Sequence, residues 1–268
     1  MKLPVYNLEK DKTSEQVLPI QFTEAYRPDL IRRAVQAVES AARQAYGAFS
    51  EAGKRTSSKV SKRRKHFRGC YGAGISRVNR KVLSRHGMRF FWVGAFSPQT
   101  KGGRRSHPPQ AEKILVKEIN KKENRKAIRT ALAATVLRDV VVARGHKVPA
   151  EYPFVLETQM ESLAKTKDVE TMLQTLGFAD ELSRSSVKKV RAGIGKLRGR
   201  KYRTKKSVLF VVGGECPLLH AAINIPGVEA VVVSALNTKL LAPGALPGRV
   251  TLWTQHALQV LDEKKMFM

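Results

Sequence analysis

The chain has 268 residues, 42% of them apolar, and a formal net charge of +28 at pH 7. This length and apolar content are enough for one large or two small domains with a real core, so a globular chain with extensions is predicted. Cys70 and Cys216 match no metal-ligand or CxxC spacing, and no run approaches about 18 uninterrupted apolar residues. The composition therefore argues against a disulfide framework, a zinc site and a membrane span. The first residues form no apolar signal segment, so a reducing intracellular compartment is expected rather than secretion.

Two predicted elements precede a long irregular segment. Residues 3–8 are predicted as a first strand. Arg27-Pro28-Asp29 then opens a predicted helix whose apolar residues keep helical spacing to about Gly47. From there to Pro109 neither a strand period nor a helix period persists, and glycines interrupt every run. Residues 47–109 are therefore predicted to be a loop, and a loop this long inside a compact domain usually indicates function.

Beyond Pro109 the sequence becomes regular again. Helical spacing and short apolar runs predict, in chain order, helices at 114–119 and 128–140, a strand at 154–156, helices at 168–176 and 178–190, a strand at 208–212, a helix at 217–223, a strand at 230–233 and a helix at 254–261. The second of these helices is predicted to end at Arg144-Gly145, since glycine favours helix C-termini. The alternation predicts an α/β fold with a mostly parallel central sheet flanked by helices.

The predicted organisation is a globular α/β body of residues 1–46 and 110–268. Residues 47–109 form a long irregular basic loop inserted near the N-terminus, which we call the first arm. Residues 183–206 form a second short basic extension within the body, which we call the second arm.

The first arm contains most of an acid-free stretch. The 60 residues between Glu51 and Glu112 include no Asp or Glu and 16 Lys and Arg. With His107, these cations are the predicted RNA-binding set of the first arm: Lys54, Arg55, Lys59, Lys62, Arg63, Arg64, Lys65, Arg68, Arg77, Arg80, Lys81, Arg85, Arg89, Lys101, Arg104 and Arg105. Such a segment repels itself, and phosphate backbone is the commonest partner that would stabilise it.

The second arm lies in another acid-free stretch, residues 182–214, which carries 11 cations. The predicted RNA-binding residues here are Lys188, Lys189, Arg191, Lys196, Arg198, Arg200, Lys201 and Arg203. Outside the two stretches the chain has 23 cations and 22 acids, so the excess positive charge is confined to the arms. This distribution is typical of a polyanion-binding protein with dedicated appendages.

Aromatic residues are interleaved with the cations of the first arm. Aromatic rings and guanidinium planes both stack on unpaired bases, which favours irregular folded RNA over a regular duplex. The predicted stacking residues are Phe67, Tyr71, Phe90, Phe91, Trp92 and Phe96. The alternative for residues 90–92 is a small local core, and residues 62–65 alone could be a solvated or nuclear-targeting run. Because little apolar area offsets the cost of ordering it, the first arm is predicted to become ordered on binding.

Two other classes of function compete with RNA binding by a structural protein. One is an RNA-modifying or RNA-processing enzyme, since residues 208–214 followed by Glu215 and Cys216 could be a strand and glycine turn that cradles a nucleotide. The G-x-G-x-x-G and P-loop spacings are absent, however, and the histidines show no metal-ligand spacing, so no catalytic residue, metal or cofactor is predicted. The other is a chromatin-type protein selective for duplex DNA.

Several short sequences match one known family. They are GGRRSHPP at 102–109, ALAAT at 131–135, RGH at 144–146, RAGIGKLRGR at 191–200, NIPG at 224–227 and LLAPG at 240–244. In this order, and over nearly the whole chain, they resemble ribosomal protein four of the large subunit in its archaeal and eukaryotic form. Residues 78–92 depart from the commoner family pattern, and Ile194 stands where Lys is frequent.

The resemblance implies a cytoplasmic, structural constituent of the ribosome. It implies that the body rests on the surface of the large subunit and that the first arm penetrates ribosomal RNA. It also implies that the far end of this arm helps to line the nascent-peptide exit tunnel, beside ribosomal protein twenty-two. Arg85, His86 and Arg89 are the predicted tunnel-tip residues, because they lie near the middle of a segment that doubles back.

Overall fold

The computed structural model describes residues 1–55, 58, 60, 62–66, 70–72, 74–87 and 89–268. They divide into two compact units, one formed by residues 1–42 and 116–268 and the other by residues 43–115. In the described ranges, no helix is both long enough and apolar enough to cross a bilayer.

The strands of the described residues are β1 (Lys2–Tyr6), β2 (Lys12–Val17), β3 (Arg80–His86), β4 (Arg89–Gly94), β5 (Val155–Leu156), β6 (Lys189–Val190), β7 (Tyr202–Arg203), β8 (Leu209–Val212), β9 (Glu229–Val232) and β10 (Thr251–Thr254). The α-helices are α1 (Pro28–Ala41), α2 (Lys121–Val136), α3 (Arg138–Ala143), α4 (Thr166–Thr175), α5 (Ala179–Ser186), α6 (Pro217–Ile223), α7 (Thr238–Leu241) and α8 (Gln255–Glu263).

The first unit is built on a six-stranded sheet in the order β2-β1-β5-β10-β8-β9. The pairs β1/β5, β5/β10, β10/β8 and β8/β9 are parallel, and only the edge strand β2 is antiparallel to its neighbour β1. The central strands β8 and β10 are buried along their whole length, as expected where helices cover both faces of a parallel sheet. This confirms the predicted α/β class and its mostly parallel sheet.

Alternate residues of each central strand enter two separate cores. Leu209 and Val211 of β8 pack on one face with Ile31 of α1 and Leu132 of α2, and α8 contributes Leu258 to the same cluster. Phe210 and Val212 point to the other face, where helices α4 and α6 contribute the cluster Val169, Met172, Leu173, Leu218, Ala221 and Ala222. The period of two along a strand thus divides the apolar run between the two faces.

The structure corrects several predicted boundaries. Helix α1 ends at Ala41 instead of about Gly47, because the alanines that follow are exposed and offer little area for packing. No helix forms at 114–119, where Ile114 is 87% exposed and has no core to join. The helix predicted over 128–140 begins at Lys121 and breaks at Leu137, and α3 continues from there.

Three other differences concern strands and the helix before the second arm. Strands β2 and β10 were not expected from the sequence. The helix predicted at 178–190 ends at Ser186, and the chain then enters β6. Residues 47–109 were predicted to lack regular structure but contain the antiparallel pair β3 and β4. The remaining predicted strands and helices appear within a few residues of their expected positions.

Candidate nucleic-acid interface

The legs of the first arm lie side by side where the arm begins and ends. The Ala48 amide donates a hydrogen bond to the Pro109 carbonyl at 2.9 Å. A Cβ on Gly47 would lie only 2.2 Å from the Ala111 amide nitrogen, so glycine permits this close approach. The arm therefore doubles back on itself, as the position of the predicted tip residues required.

Strands β3 and β4 form a hairpin in the middle of the first arm. Its register pairs Arg80 with Gly94 at one end and His86 with Arg89 at the closed end, and a β-bulge interrupts the ladder between Val82 and Ser84. The bulge shifts the alternation of side chains by one residue, so the period of two that is typical of a strand does not persist in the sequence. It explains why this segment was predicted to be a loop.

Two arginines and two aromatic rings form a ladder on one face of the hairpin. The Arg85 guanidinium lies 5.2 Å from the Phe90 ring centroid, the Phe90 and Trp92 rings stack at 5.6 Å, and the Arg80 guanidinium lies 5.2 Å from the Trp92 centroid. Phe91 points to the opposite face and is 56% exposed. Phe90 and Trp92 thus have partners within the arm, whereas Phe91 is the more accessible of the three.

The predicted tip residues surround the closed end of the hairpin. Arg85 Nε donates to the Gly87 carbonyl at 2.9 Å, while His86 and Arg89 face each other across the ladder. All three side chains are exposed. The structure therefore brings Arg85, His86 and Arg89 together at the closed end of the hairpin.

The other described cations of the first arm are at least partly exposed. Arg80, Lys81 and Arg104 are half-buried, and the exposed members are Lys54, Arg55, Lys62, Arg63, Arg64, Lys65, Arg77, Lys101, Arg105 and His107. Arg55 lies 3.8 Å from Glu51, an exposed and therefore weak ion pair. Lys59, Phe67 and Arg68 lie outside the described residues.

Other aromatic residues of this unit also contact arginines. Arg77 lies over the Tyr71 ring at 5.5 Å, and Arg55 lies over the Phe49 ring at 4.5 Å. Phe96 is 48% exposed. Phe49 and its exposed neighbour Tyr46 were not among the predicted residues, because Tyr46 lies inside the predicted first helix and Phe49 directly after it. Their position in an acid-poor segment next to Arg55 was the signal that could have identified them.

The second arm is a smaller hairpin in which β6 pairs with β7. Gly193 and Gly199, with φ of +78° and +72°, flank the tight turn between the strands, a backbone region that favours glycine. Each of its predicted RNA-binding residues is exposed: Lys188, Lys189, Arg191, Lys196, Arg198, Arg200, Lys201 and Arg203. Lys201 also lies 5.5 Å from the Tyr202 ring, an aromatic residue that was not among the predicted ones.

A buried carboxylate holds the root of the second arm, where the arm joins the body. Glu181 accepts hydrogen bonds from Arg184 Nε at 2.7 Å, the Lys147 amide at 2.9 Å and Ser207 Oγ at 3.1 Å, and His146 Nδ1 lies 2.8 Å away. Burial acts to raise the pKa of Glu181, but the hydrogen bonds from Arg184, His146 and the Lys147 amide outweigh it and lower the pKa to about 2. Burial also lowers the pKa of His146, so a neutral ring can donate its Nδ1 proton to the carboxylate.

A fully buried arginine connects the same root to the sheet. Arg249 Nε donates to the Ser207 carbonyl at 2.8 Å, and Nη1 donates to the Leu240 carbonyl at 3.0 Å and to Glu229 at 2.6 Å. Glu229 also pairs with Lys206, the last cation before β8. Glu181 and Glu229 therefore fix both chain segments that lead into the second arm.

The glycine turn after β8 is filled by side chains of the protein itself. Glu161 accepts from the Gly213 amide at 3.2 Å and from Thr254 Oγ1 at 2.6 Å, and its other oxygen lies 3.1 Å from His256 Nδ1. A Cβ on Gly213 would lie 2.4 Å from the same ring nitrogen. A carboxylate at this βα turn repels the phosphate that a nucleotide would place there, so the geometry does not favour a cofactor site.

The whole chain is similar to ribosomal proteins. The model of the ribosomal protein L4/L1 family matches residues 16–264. The chain belongs to this family. Relatives include the protein named large ribosomal subunit protein uL4 from Nanoarchaeum equitans, which is 47% identical over 268 residues and covers 100% of both chains. The uL4 proteins of Methanococcoides burtonii and Methanocaldococcus jannaschii are 45% and 43% identical, and each match covers at least 96% of both chains.

Proposed function

We propose that this chain is a structural constituent of the large ribosomal subunit that binds ribosomal RNA through its two arms. The observation that carries the proposal is the full-length match to uL4 proteins, combined with exposed cations confined to two acid-free segments. Its place in the cell is then the cytoplasmic ribosome. Its partners are large-subunit RNA and neighbouring ribosomal proteins.

The arms bind by contacting phosphates, and the body holds one of them in position. Arg side chains can fork two phosphate oxygens at once, and such contacts fix position without reading sequence. RNA binding does not have to order the root of the second arm, because Glu181 and Glu229 already fix the chain on either side of it. Binding free energy is therefore not spent on ordering this root.

The first arm has a more specific role in this proposal. Its closed end, with Arg85, His86 and Arg89, lines the nascent-peptide exit tunnel beside ribosomal protein twenty-two. The support is the exposure of these side chains at the end of a hairpin and the family match over residues 16–264, which includes the segments on both sides of it. Phe91, Tyr71 and Phe96 are available to stack on unpaired bases nearby.

No catalytic role is assigned to the chain. The turn that could have held a nucleotide contains Glu161 and His256, and the similar proteins are named as subunit constituents. The RNA-processing enzyme considered from the sequence is therefore not supported.

Subunit assembly tests the proposal. A tagged copy of the chain is expected to co-sediment with large subunits through moderate salt. The variant Arg63→Glu/Arg64→Glu is expected to be incorporated several-fold less, because it places repulsive charges beside phosphate. The matched control, Lys165→Glu/Lys167→Glu, makes the same change of charge on the exposed surface of the body. Failure of the unaltered chain to enter large subunits, or equal incorporation of all three proteins, would contradict the proposal.

A further inference from the structure

The turn of the second arm carries two strongly exposed aliphatic side chains. Ile194 is 62% exposed and Leu197 is 86% exposed. They are three residues apart on a 3-10 turn, Ile194–Lys196 with Leu197 as its C-cap, and side chains at this spacing lie one above the other. A single exposed leucine is ordinary, but two aligned on a protruding turn form a small apolar contact surface.

Backbone hydrogen bonds hold this turn in shape. The Leu197 amide donates to the Ile194 carbonyl at 3.1 Å, and the Arg198 and Arg200 amides donate to the Gly195 carbonyl at 3.2 and 3.1 Å. Below the turn, the Arg191 amide donates to the Lys201 carbonyl at 2.9 Å. The aliphatic pair is therefore presented by a preformed turn, which reduces the entropy lost on contact.

The charges around the pair identify the occupant. Lys196, Arg198 and Arg200 are exposed on the same turn, and no acid occurs between Glu181 and Glu215 to offset them. An occupant must therefore offer an apolar face that is surrounded by negative charge. An unstacked RNA base offers this combination, since its flat face is apolar and phosphates lie on both sides of it.

We infer that Ile194 and Leu197 rest on the face of an unstacked base in RNA, while Lys196, Arg198 and Arg200 bind the phosphates next to it. The inference rests on the proposed function and deepens it, because it gives the second arm a base contact beyond phosphate binding. Aliphatic side chains that wedge against base steps are a known device in proteins that bind the DNA minor groove. An anionic membrane is the less favoured partner, because surface-bound segments present a much larger apolar face than this pair.

The test uses the full-length chain and protein-free large-subunit RNA transcribed in vitro. The variant Ile194→Ser/Leu197→Ser is expected to bind about fivefold more weakly at fixed salt, the lower end of the range for one base-stacking contact. Its slope of log affinity against log salt should not change. The variant Lys196→Gln/Arg198→Gln/Arg200→Gln should instead make the slope shallower by about 2, since each phosphate contact contributes roughly 0.7. The control Leu246→Ser removes an aliphatic side chain that is 61% exposed on the body, and it should bind like the unaltered chain.

Chemical probing locates the contact. Dimethyl sulfate reactivity should fall at one or a few bases with the unaltered chain and with the charge variant at saturating concentration, but not with the aliphatic variant. If the unaltered chain binds the RNA and the aliphatic variant equals the Leu246→Ser control in affinity and base protection, this inference is wrong and the proposed function stands. If the unaltered chain does not prefer this RNA over duplex DNA, the proposed function itself fails. Loss of binding to phosphatidylserine vesicles, with no loss of RNA binding, would assign the pair to a membrane and overturn the inference.

Discussion

Arginine has opposite roles in the body and in the arms. Arg249 in the body is fully buried and donates to Glu229 and to the carbonyls of Ser207 and Leu240. Arg63 and Arg198 in the arms are exposed, in stretches that contain no acid. The difference lies in the supply of carboxylates. A cation that lies next to an acid stabilises the fold. A cation in a stretch without acids remains available to a polyanion.

The largest effect expected from this difference follows from removing the buried arginine. Arg249→Met leaves Glu229 without its main partner and several buried carbonyls without a donor, so unfolding free energy should fall by about 3 to 5 kcal/mol. The measurement is urea unfolding followed by Trp253 fluorescence in a Trp92→Phe background, because these are the two tryptophans of the chain. Arg203→Met, on the exposed second arm, should change the stability by less than about 0.5 kcal/mol. Equal losses for the two variants would remove the distinction between body and arms.

Acid should destabilise the body through the same kind of buried charge. The folded-state pKa of Glu181 is about 2, below the usual 4.5, so its contribution is present above pH 4.5 and is lost as the pH falls towards 2. The pKa of His146 is also lowered by burial, so protonation of this ring opposes folding below its usual 6.5. Both groups therefore act in the same direction.

The variant Glu181→Gln isolates this contribution. It should be less stable than the unaltered chain by roughly 3 kcal/mol at pH 7, because the folded-state pKa of Glu181 lies well below 4.5 and each unit corresponds to about 1.36 kcal/mol. The gap should close as the pH approaches 2. Urea unfolding at a series of pH values measures this difference in the free energy of unfolding. A difference that stays constant with pH would show that the carboxylate charge is not responsible.

The fold class could be predicted from the sequence because it depends on local patterns. Strands β8 and β9 are apolar runs bounded by glycine, and α6 begins with Pro217 as its first residue. Strand β10 was missed because the buried polar residues Thr251 and Thr254 conceal it. Their partners, such as Glu161 for Thr254, lie far away in the sequence and become visible only in the folded chain.

The candidate interface could also be predicted only where it depends on local sequence. The cations of both arms were identified because the absence of acids is a local property of the sequence. The clamp at the root of the second arm was missed, since His146, Glu181 and Ser207 are separate in the sequence and none belongs to a recognisable motif. The pairing of Phe90 and Trp92 with arginines was missed for a related reason, because it depends on the register of a bulged hairpin.

Removing cations from the first arm should change binding without changing stability. Lys101→Gln/Arg104→Gln/Arg105→Gln should make the slope of log affinity against log salt shallower by about 2 for large-subunit RNA. The urea midpoint of the body should stay where it is, because residues 101–105 belong to the other compact unit. A matched loss of three cations from the body, Lys165→Gln/Lys167→Gln/Lys264→Gln, should leave the slope nearly unchanged. Equal slopes for the two triple variants would mean that binding charge is spread over the whole surface.

The smallest expected effect concerns the ladder of Arg80, Arg85, Phe90 and Trp92. Here the partners of the two arginines are aromatic rings and not carboxylates. A cation–π contact in an exposed position contributes about 0.5 to 1 kcal/mol, so Trp92→Leu should speed amide hydrogen exchange over residues 80–94 by about twofold to fivefold. Phe91→Leu, on the opposite face of the hairpin, is the matched control and should have a smaller effect. If the unaltered hairpin exchanges as fast as an unfolded chain, the ladder does not order it, and the first arm acquires its structure only on RNA, as its composition predicts. Protection that depends on Trp92 would instead show that aromatic rings take the place of carboxylates as partners for arginine in a stretch that contains no acid.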